Sequence, residues 1–381
     1  MVTHIKEKTI NGVVLNAIGA LANDGFRTPS RNGNQYAIYN ALLTMENPRS
    51  RHLDLKGRKN NIFATIAETF WVYSGSIDVT GFLEFFLPRA RDFADDKTNW
   101  YGGYGKRIYI YDQLDDVIQQ FRNEGIFTRR ANLYIGQPEF DTNTQLDAHL
   151  GHPTTKDRPC NQLFNFFITP DKKLNMNGFS RSGDIIWGIG SINLFEFSYL
   201  QEWIVQELQK ELDPEITLGE YNHWVTNMHL YDFNGQQGLD ALAIKDQQDL
   251  KSENHMTLKF PHGANNFKNF HRAILKTFNW HIENKTLNLD DIMSDITSEL
   301  SVFEFDVRNN LLLPYLIAVA CFIITKNLGL KGKSRLDLRV DFGDVSDEFL
   351  NSIKHSVFRK FTLKDYDEED VEIIPLEKVE D

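Results

Sequence analysis

The chain has 381 residues, room for one large domain or two ordinary ones, and its 41% hydrophobic, 25% charged composition is that of a soluble globular protein. A net charge of −12 excludes a broadly basic nucleic-acid-binding surface, while leaving room for a local basic pocket. Two cysteines exclude a disulfide framework and suit a reducing compartment, and MVTHIKEKTI has no signal-peptide pattern, so a cytoplasmic protein is expected.

Residues 1–35 read as mixed and polar, with FRTPSRNGN as a loop carrying Arg27 and Arg31. A strand is expected at 36–45 and a helix at 61–74, with Ile62, Ile66, Phe70 and Tyr73 on one stripe. Glu68 lies off that stripe, but its neighbours at helical spacing are Ala64, Trp71 and Val72. A carboxylate there is partly desolvated, which raises its pKa and suits proton shuttling; the plainer alternative is a glutamate at the helix rim. Residues 88–107 read as loop, ending in WYGGYGKR, and 114–123 as helix. Thr128, Arg129 and Arg130 lead into a strand at 131–135, where adjacent arginines point to opposite faces and, taken alone, read as solvent-exposed charge. Residues 137–158 read as an irregular surface insertion; its His149 and His152 lack a third ligand, which argues against zinc.

The stretch 159–199 is the richest in chemistry. An apolar run follows Cys160, turns at Pro170-Asp171, and returns to deliver Arg181, Ser182 and Asp184. A glycine loop at 188–190 then opens an amphipathic helix over 193–212 that carries Asn193 at its start. Residues 221–235 alternate as a strand, which places His229 and Tyr231 on one face. Beyond 240, helices are expected at 267–282, 290–305, 309–326 and 346–361, followed by an acidic tail with DYDEED. The apolar run 311–325 is too short to span a bilayer and reads as a buried core helix.

Of the two cysteines, Cys321 inside AVACFII reads as a small buried hydrophobe. Cys160 follows a proline at the end of a polar loop with Lys156 and Arg158 before it, and Arg181 nearby is expected to lower its pKa toward the nucleophilic thiolate. Neither a GxSxG elbow nor a GxxxxGK phosphate loop is present, and the short glycine pairs are too weak to indicate a dinucleotide site.

Taken in order, these residues resemble the motif set of the thymidylate synthase and pyrimidine hydroxymethylase superfamily. Pro159-Cys160 before an apolar strand resembles the family's nucleophile motif, and Arg181-Ser182-Gly183-Asp184 matches its arginine-serine-x-aspartate motif. Asn193 is similar to its helix-opening asparagine, after a loop one residue longer here, and His229-Leu230-Tyr231 matches its histidine-x-tyrosine. Arg129-Arg130 match its paired arginines, Arg31 in SRNG resembles its early phosphate arginine, AETFWVYSG places Glu68 as its glutamate, and Tyr104-Gly105-Lys106 matches its tyrosine-glycine-lysine segment. The resemblance spans residues 27–235. It departs at Asn161, where thymidylate synthases usually carry histidine, and in IIPLEKVED, where the family's closing C-terminal segment is not recognisable.

The resemblance implies an α+β fold, a thymidylate synthase-like mixed sheet packed with helices, with a catalytic domain over 1–240 and a helical C-terminal region over 241–381. It implies that Cys160 adds to carbon 6 of a pyrimidine nucleotide, that Glu68, Tyr104 and Asp184 serve catalysis, and that 5,10-methylenetetrahydrofolate is cosubstrate. Arg31, Arg181, Arg129 and Arg130 would grip the phosphate, with Ser182 in the same substrate site. The paired arginines would come from the second subunit of a homodimer. Asn193 would read the uracil edge, His229 and Tyr231 would hold the sugar, and Asp184 and Trp187 would face the folate. The missing tail and Asn161, which can hold a water by donating and accepting, favour hydroxymethylation of dUMP over methylation to dTMP. A catalytically silent nucleotide-binding or scaffold protein is the alternative of another class, and Cys160 with Glu68 argues against it. Neither nucleic acid nor membrane is expected as a partner.

Overall fold

A computed structural model describes residues 2–244, 254, 257–303 and 312–330, with short stretches at 335–340, 347, 349–350, 361–363 and 373–375. The elements run β1 (Thr3–Glu7), α1 (Ile10–Asp24), β2 (Phe26–Ser30), β3 (Gly33–Met45), α2 (Ile62–Tyr73), α3 (Phe82–Phe86), α4 (Ala90–Phe93), α5 (Tyr104–Tyr109) and α6 (Gln113–Glu124). They continue through β4 (Asn132–Tyr134), α7 (Pro138–Asp141), α8 (Asn143–Leu150), β5 (Asn161–Ile168), β6 (Lys173–Ser180), β7 (Gly183–Asp184), α9 (Leu194–Glu211), β8 (Thr217–Tyr231) and α10 (Gly235–Ala243). The C-terminal region holds α11 (Ala264–Glu283), α12 (Leu289–Ser301), α13 (Leu313–Asn327), β9 (Arg335–Val340), β10 (Phe361–Leu363) and β11 (Ile373–Pro375).

The main sheet has the order β1-β3-β8-β6-β5-β4, with β2 added to β3 and β7 to β8. It is mixed: β1 on β3 and β6 on β8 are parallel, while β3 on β8, β5 on β6 and β4 on β5 are antiparallel. Helix α9 packs on β6 and β8, α2 packs on α9, and α11 and α13 pack on α2. This is the α+β architecture expected. Because neighbours cover α2 on every side, all twelve of its residues are buried, and Glu68 is an interior residue rather than a rim one. The aromatic-rich composition supplies the packing: Phe63 stacks on Phe322 at 5.5 Å between ring centroids, and Trp203 on Phe267 at 4.8 Å.

The opposite face of the sheet is open. Leu42, Trp224, Phe179, Leu163 and Tyr134 are successive cross-strand partners, so they form one row over five strands, and each is half-buried or exposed.

Several expectations need correction. Residues 1–35, read as mixed and polar with no element assigned, hold β1, α1 and β2. The apolar residues Ile10, Val13, Val14, Ala17, Ile18 and Leu21 recur at helical spacing behind a Thr9 cap that accepts from the Gly12 N–H at 3.2 Å. FRTPSRNGN is the β2–β3 hairpin, closed by Gly33 at φ +125°, with Arg31 at its tip. The 88–107 loop contains α4 and α5, and the 137–158 insertion contains α7 and α8. That insertion is tied to the body by the Arg107 guanidinium, which donates to both Asp141 oxygens at 2.7 and 2.8 Å. The C-terminal region is not wholly helical: β9 pairs in parallel with β10 and β11, following the alternation of RLDLRV. Of the helix expected at 346–361, Asp347, Phe349 and Leu350 are described and are helical and Phe361 begins β10, while its other residues and most of the acidic tail lie outside the described residues.

A buried ion pair joins these layers. Arg51 and Glu202, each about 1% exposed at the side chain, meet at 2.5 Å; Arg49 Nε and the Leu258 N–H also donate to Glu202, each at 3.1 Å. Removing the carboxylate strands a guanidinium in the core. Glu202→Ala is therefore expected to lower unfolding free energy by about 3–5 kcal/mol in urea titrations. A loss under about 1 kcal/mol would mean that water reaches Arg51.

Candidate active site

Cys160 ends the 155–159 segment and enters β5. Two arginines clasp this segment through its carbonyls. Arg31 donates to Thr155 O at 3.1 Å and to Lys156 O at 2.9 Å. Arg181 donates to Pro159 O at 3.0 Å and to Arg158 O at 2.8 Å, and its backbone N–H bonds Cys160 O at 3.0 Å. The resulting cluster brings two of the expected phosphate arginines, from β2–β3 and β6–β7, to the segment that leads into Cys160. Opposite it, the backbone at Gly102 runs so close that an added Cβ would lie 2.5 Å from Asp157 O, and its N–H donates to Asp157 Oδ2 at 3.0 Å.

The expectation of a depressed thiol pKa is not met in this state. Arg181 and Arg31 do pull it down, but burial is the larger effect and pushes the Cys160 thiol above its ordinary value. Asn161 is fully buried, and its Oδ1 accepts from Ser180 Oγ at 2.5 Å. Ser180 in turn accepts from His223 Nε2 at 2.7 Å, and His223 Nδ1 accepts from the Tyr221 hydroxyl at 2.6 Å. Burial drives His223 down to about 3, so the ring is neutral and the chain of donors runs one way. Asn161 Nδ2 lacks a partner, and Oδ1 has a second lone pair beyond the one that Ser180 uses, so the amide keeps the donor and acceptor capacity that holding a water needs.

A second group of side chains gathers beneath the thiol. Tyr104 starts α5; burial raises its phenol pKa, and Cys160, Glu196 and Asp157 are the acids whose charges act on it next. Burial raises Glu68 well above the carboxylate range, with Glu196 and Asp157 adding to it, and its Oε2 has no hydrogen-bond partner. Burial likewise raises Glu196 to about 7 and Asp157 to about 6. Asn193 caps α9 and donates from Nδ2 to Glu196 Oε1 at 2.9 Å. The chain reaches Asn193 through a wide π-type turn over Gly188–Asn193, whose hydrogen bonds span five residues where those of an α-helix span four. Gly190 makes that turn possible, since a Cβ there would sit 1.8 Å from Ile185 O.

On the third side, β7 lies beside β8 and sets Asp184 level with His229. Asp184 accepts from the Ile186 N–H at 2.7 Å and from Asn234 Nδ2 at 3.1 Å. Burial opposes charge on both members, raising Asp184 and lowering His229 despite their mutual attraction. His229 and Tyr231 do share a face, their rings 4.8 Å apart, and Tyr231 accepts from Asn32 Nδ2 at 3.4 Å. Trp187 is 42% exposed and Phe233 57%, and their rings lie 5.4 Å apart, tilted at 50° to one another. Ser182, half-buried, follows Arg181 at the turn into β7.

Arg129 and Arg130 stand apart. Both are exposed, and Arg130 pairs with Glu124 at 2.9 Å. Ala131 lies level with Phe166, six residues along β5 from Cys160, which at about 3.3 Å per residue is about 20 Å. Within one chain the paired arginines do not reach the thiol. Three groups that do belong to the site escaped the sequence reading: Asp157, Glu196 and His223. Glu196 was findable, because it lies three residues after Asn193 on an expected helix and so shares its face.

Residues 15–285 match the family described as thymidylate synthase. Among relatives, the "Deoxyuridylate hydroxymethyltransferase" of Delftia phage PhiW-14 is 42% identical over 214 residues, 56% of this chain and 57% of that protein. Proteins of the same name from Pseudomonas phage M6 and Bacillus phage SP01 are 30% identical over 232 residues and 33% over 223. These matches cover 60% and 55% of this chain, and 61% and 52% of those relatives, so the chain spans little more than half the length of the relatives it matches. Among the described residues no helix is long and apolar enough to cross a membrane. With the family match covering most of its length, the chain belongs to the thymidylate synthase family.

Proposed function

We propose that this protein is a deoxyuridylate hydroxymethyltransferase that makes 5-hydroxymethyl-dUMP. The observation that carries the reading is the convergence of half-buried Cys160 and Tyr104 with buried Glu68 and Asn193 under Arg31 and Arg181. Carbon 5 of uracil is a weak nucleophile. The Cys160 sulfur bonds to carbon 6, and the displaced electron pair makes carbon 5 able to form a bond to a one-carbon unit. Methylenetetrahydrofolate supplies that unit when bound. The exposed Trp187–Phe233 pair beside Asp184 suits a flat aromatic ring, so the residues fit such a cosubstrate. Glu68, kept protonated by burial, would hold a proton for the carrier nitrogen as the one-carbon unit separates from it, and the proton that carbon 5 gives up would pass to water beside the Tyr104 hydroxyl. Water then adds to the exocyclic carbon, and the C6–sulfur bond breaks.

Arg31 and Arg181 take the phosphate by exchanging carbonyl oxygens for phosphate oxygens, with Ser182 beside them. His229 and Tyr231 hold the sugar. Arg129 and Arg130 complete a neighbouring subunit's phosphate site in a homodimer, with C2 symmetry the default. Support for the dimer comes from the open row of Leu42, Trp224, Phe179, Leu163 and Tyr134, an apolar sheet face suited to a second copy. The C-terminal helices complete the catalytic domain by covering α2, which bears Glu68.

The names of the relatives favour hydroxymethylation over thymidylate synthesis. With dUMP and methylenetetrahydrofolate, mass spectrometry is expected to find 5-hydroxymethyl-dUMP and tetrahydrofolate, with no absorbance change from dihydrofolate. Stoichiometric dihydrofolate with dTMP would establish thymidylate synthase instead.

A further inference from the structure

The base-reading amide has an unexpected neighbour. Glu196 lies in α9, has no exposed surface, and accepts from Asn193 Nδ2 at 2.9 Å through Oε1, while its Oε2 is buried without a hydrogen-bond partner. Leaving a carboxylate oxygen unpaired in the interior is costly, and nothing in the covalent chemistry proposed above uses this group. Its placement directly behind Asn193 gives it a role.

An asparagine amide is nearly symmetric in shape but not in hydrogen bonding. One end accepts and the other donates, and turning it over exchanges them. Uracil presents a donor at N3 and an acceptor at O4; cytosine presents an acceptor at N3 and a donor at N4. Asn193 therefore suits uracil in one orientation and cytosine in the other. An ionised carboxylate only accepts, so the neighbour at 2.9 Å must be Nδ2. The turned amide would set Oδ1 against a carboxylate oxygen and lose a charge-assisted bond.

We propose that Glu196 is a positioning residue that locks the Asn193 amide in the orientation that accepts uracil and rejects cytosine. This rests on the reading of Asn193 as the group that meets the pyrimidine edge. The protonated acid can donate as well as accept, so it tolerates either orientation. Burial places the titration of Glu196 at about 7, so the lock weakens as pH falls through neutrality. The titratable groups facing Glu196 are Glu68 and Tyr73 of α2, Tyr104 of α5 and Tyr221 of β8, and none of these is a cation.

The test is the ratio of kcat/KM for dUMP to that for dCMP, in which effects common to both substrates cancel. Glu196→Gln, nearly identical in shape, can turn its own amide to match either orientation. It is expected to lower the ratio by about tenfold or more, the size of one charge-assisted hydrogen bond. Glu196→Ser, which admits water, provides the same readout if the glutamine variant does not fold, with thermal melting as the check on both. In the wild type the ratio falls between pH 8 and pH 6; in Glu196→Gln it is flat. A wild type that favours dUMP, with a ratio unchanged in either folded variant, overturns the lock alone. A wild type that favours dCMP overturns the reading of the base.

Discussion

Cys160→Ser will abolish turnover while leaving dUMP bound. The serine hydroxyl occupies nearly the same space but does not ionise near neutrality, and an oxygen adduct at carbon 6 forms far less readily than a sulfur one. A fall of at least about 10⁴-fold in kcat is expected, the scale lost when an enzyme's nucleophile is removed. The arginines that would take the phosphate bond the backbone of the 155–159 segment and not the sulfur, so the dissociation constant for dUMP should change little. Trapping by 5-fluoro-dUMP supplies a second readout: a covalent mass increment in the wild type and none in the variant. Turnover within tenfold of wild type would overturn sulfur addition as the first step.

The pH behaviour of the same thiol has a definite sign. Burial raises its pKa, so in the free enzyme the thiolate fraction at neutral pH is small and grows as pH rises. Labelling by the fluoro nucleotide should accelerate with pH across the neutral and mildly alkaline range. Arg181 opposes the burial effect, so Arg181→Gln should shift that profile further alkaline. An unshifted profile would show that Arg181 does not act on the sulfur.

The sequence disclosed the fold class, and of the candidate site it disclosed the residues that are grouped locally along the chain. Cys160, Arg181 and Asp184 are close in sequence and lie on adjoining strand ends, so local reasoning could group them. The helix of Glu68 and a partial desolvation of its carboxylate were readable, but the burial of the helix on every side was not, because α11 and α13 cover it from more than 190 residues away. The sign of the Cys160 shift failed for the same reason. The favourable arginine is visible in sequence, whereas desolvation depends on how tightly Gly102 and Asp157 close over the loop. Residues 1–35 were misread because turn-forming Pro, Ser, Asn and Gly in FRTPSRNGN drew attention from the periodic apolar residues of α1. A hairpin uses those same turn residues, so composition alone could not separate it from a loop.

Two inactive proteins are expected to restore activity when mixed. Cys160→Ser lacks a nucleophile. An Arg129→Ala, Arg130→Ala double variant should bind dUMP poorly, losing two guanidinium groups from the phosphate. If each site combines Cys160 of one subunit with Arg129 and Arg130 of the other, a mixed dimer has one site with both defects and one with neither. Random exchange of equal amounts makes half the dimers mixed, so activity should recover to about a quarter of wild type. The geometry sets this expectation: the arginines stand about 20 Å along β5 from the thiol of their own chain, beyond the reach of one nucleotide phosphate held beside it. Exchange would be promoted by brief exposure to moderate urea and followed by native mass spectrometry of two isotopically distinct chains. No recovery despite confirmed mixed dimers would place the arginines outside the neighbour's site. A double variant that keeps wild-type KM for dUMP would remove them from phosphate binding altogether.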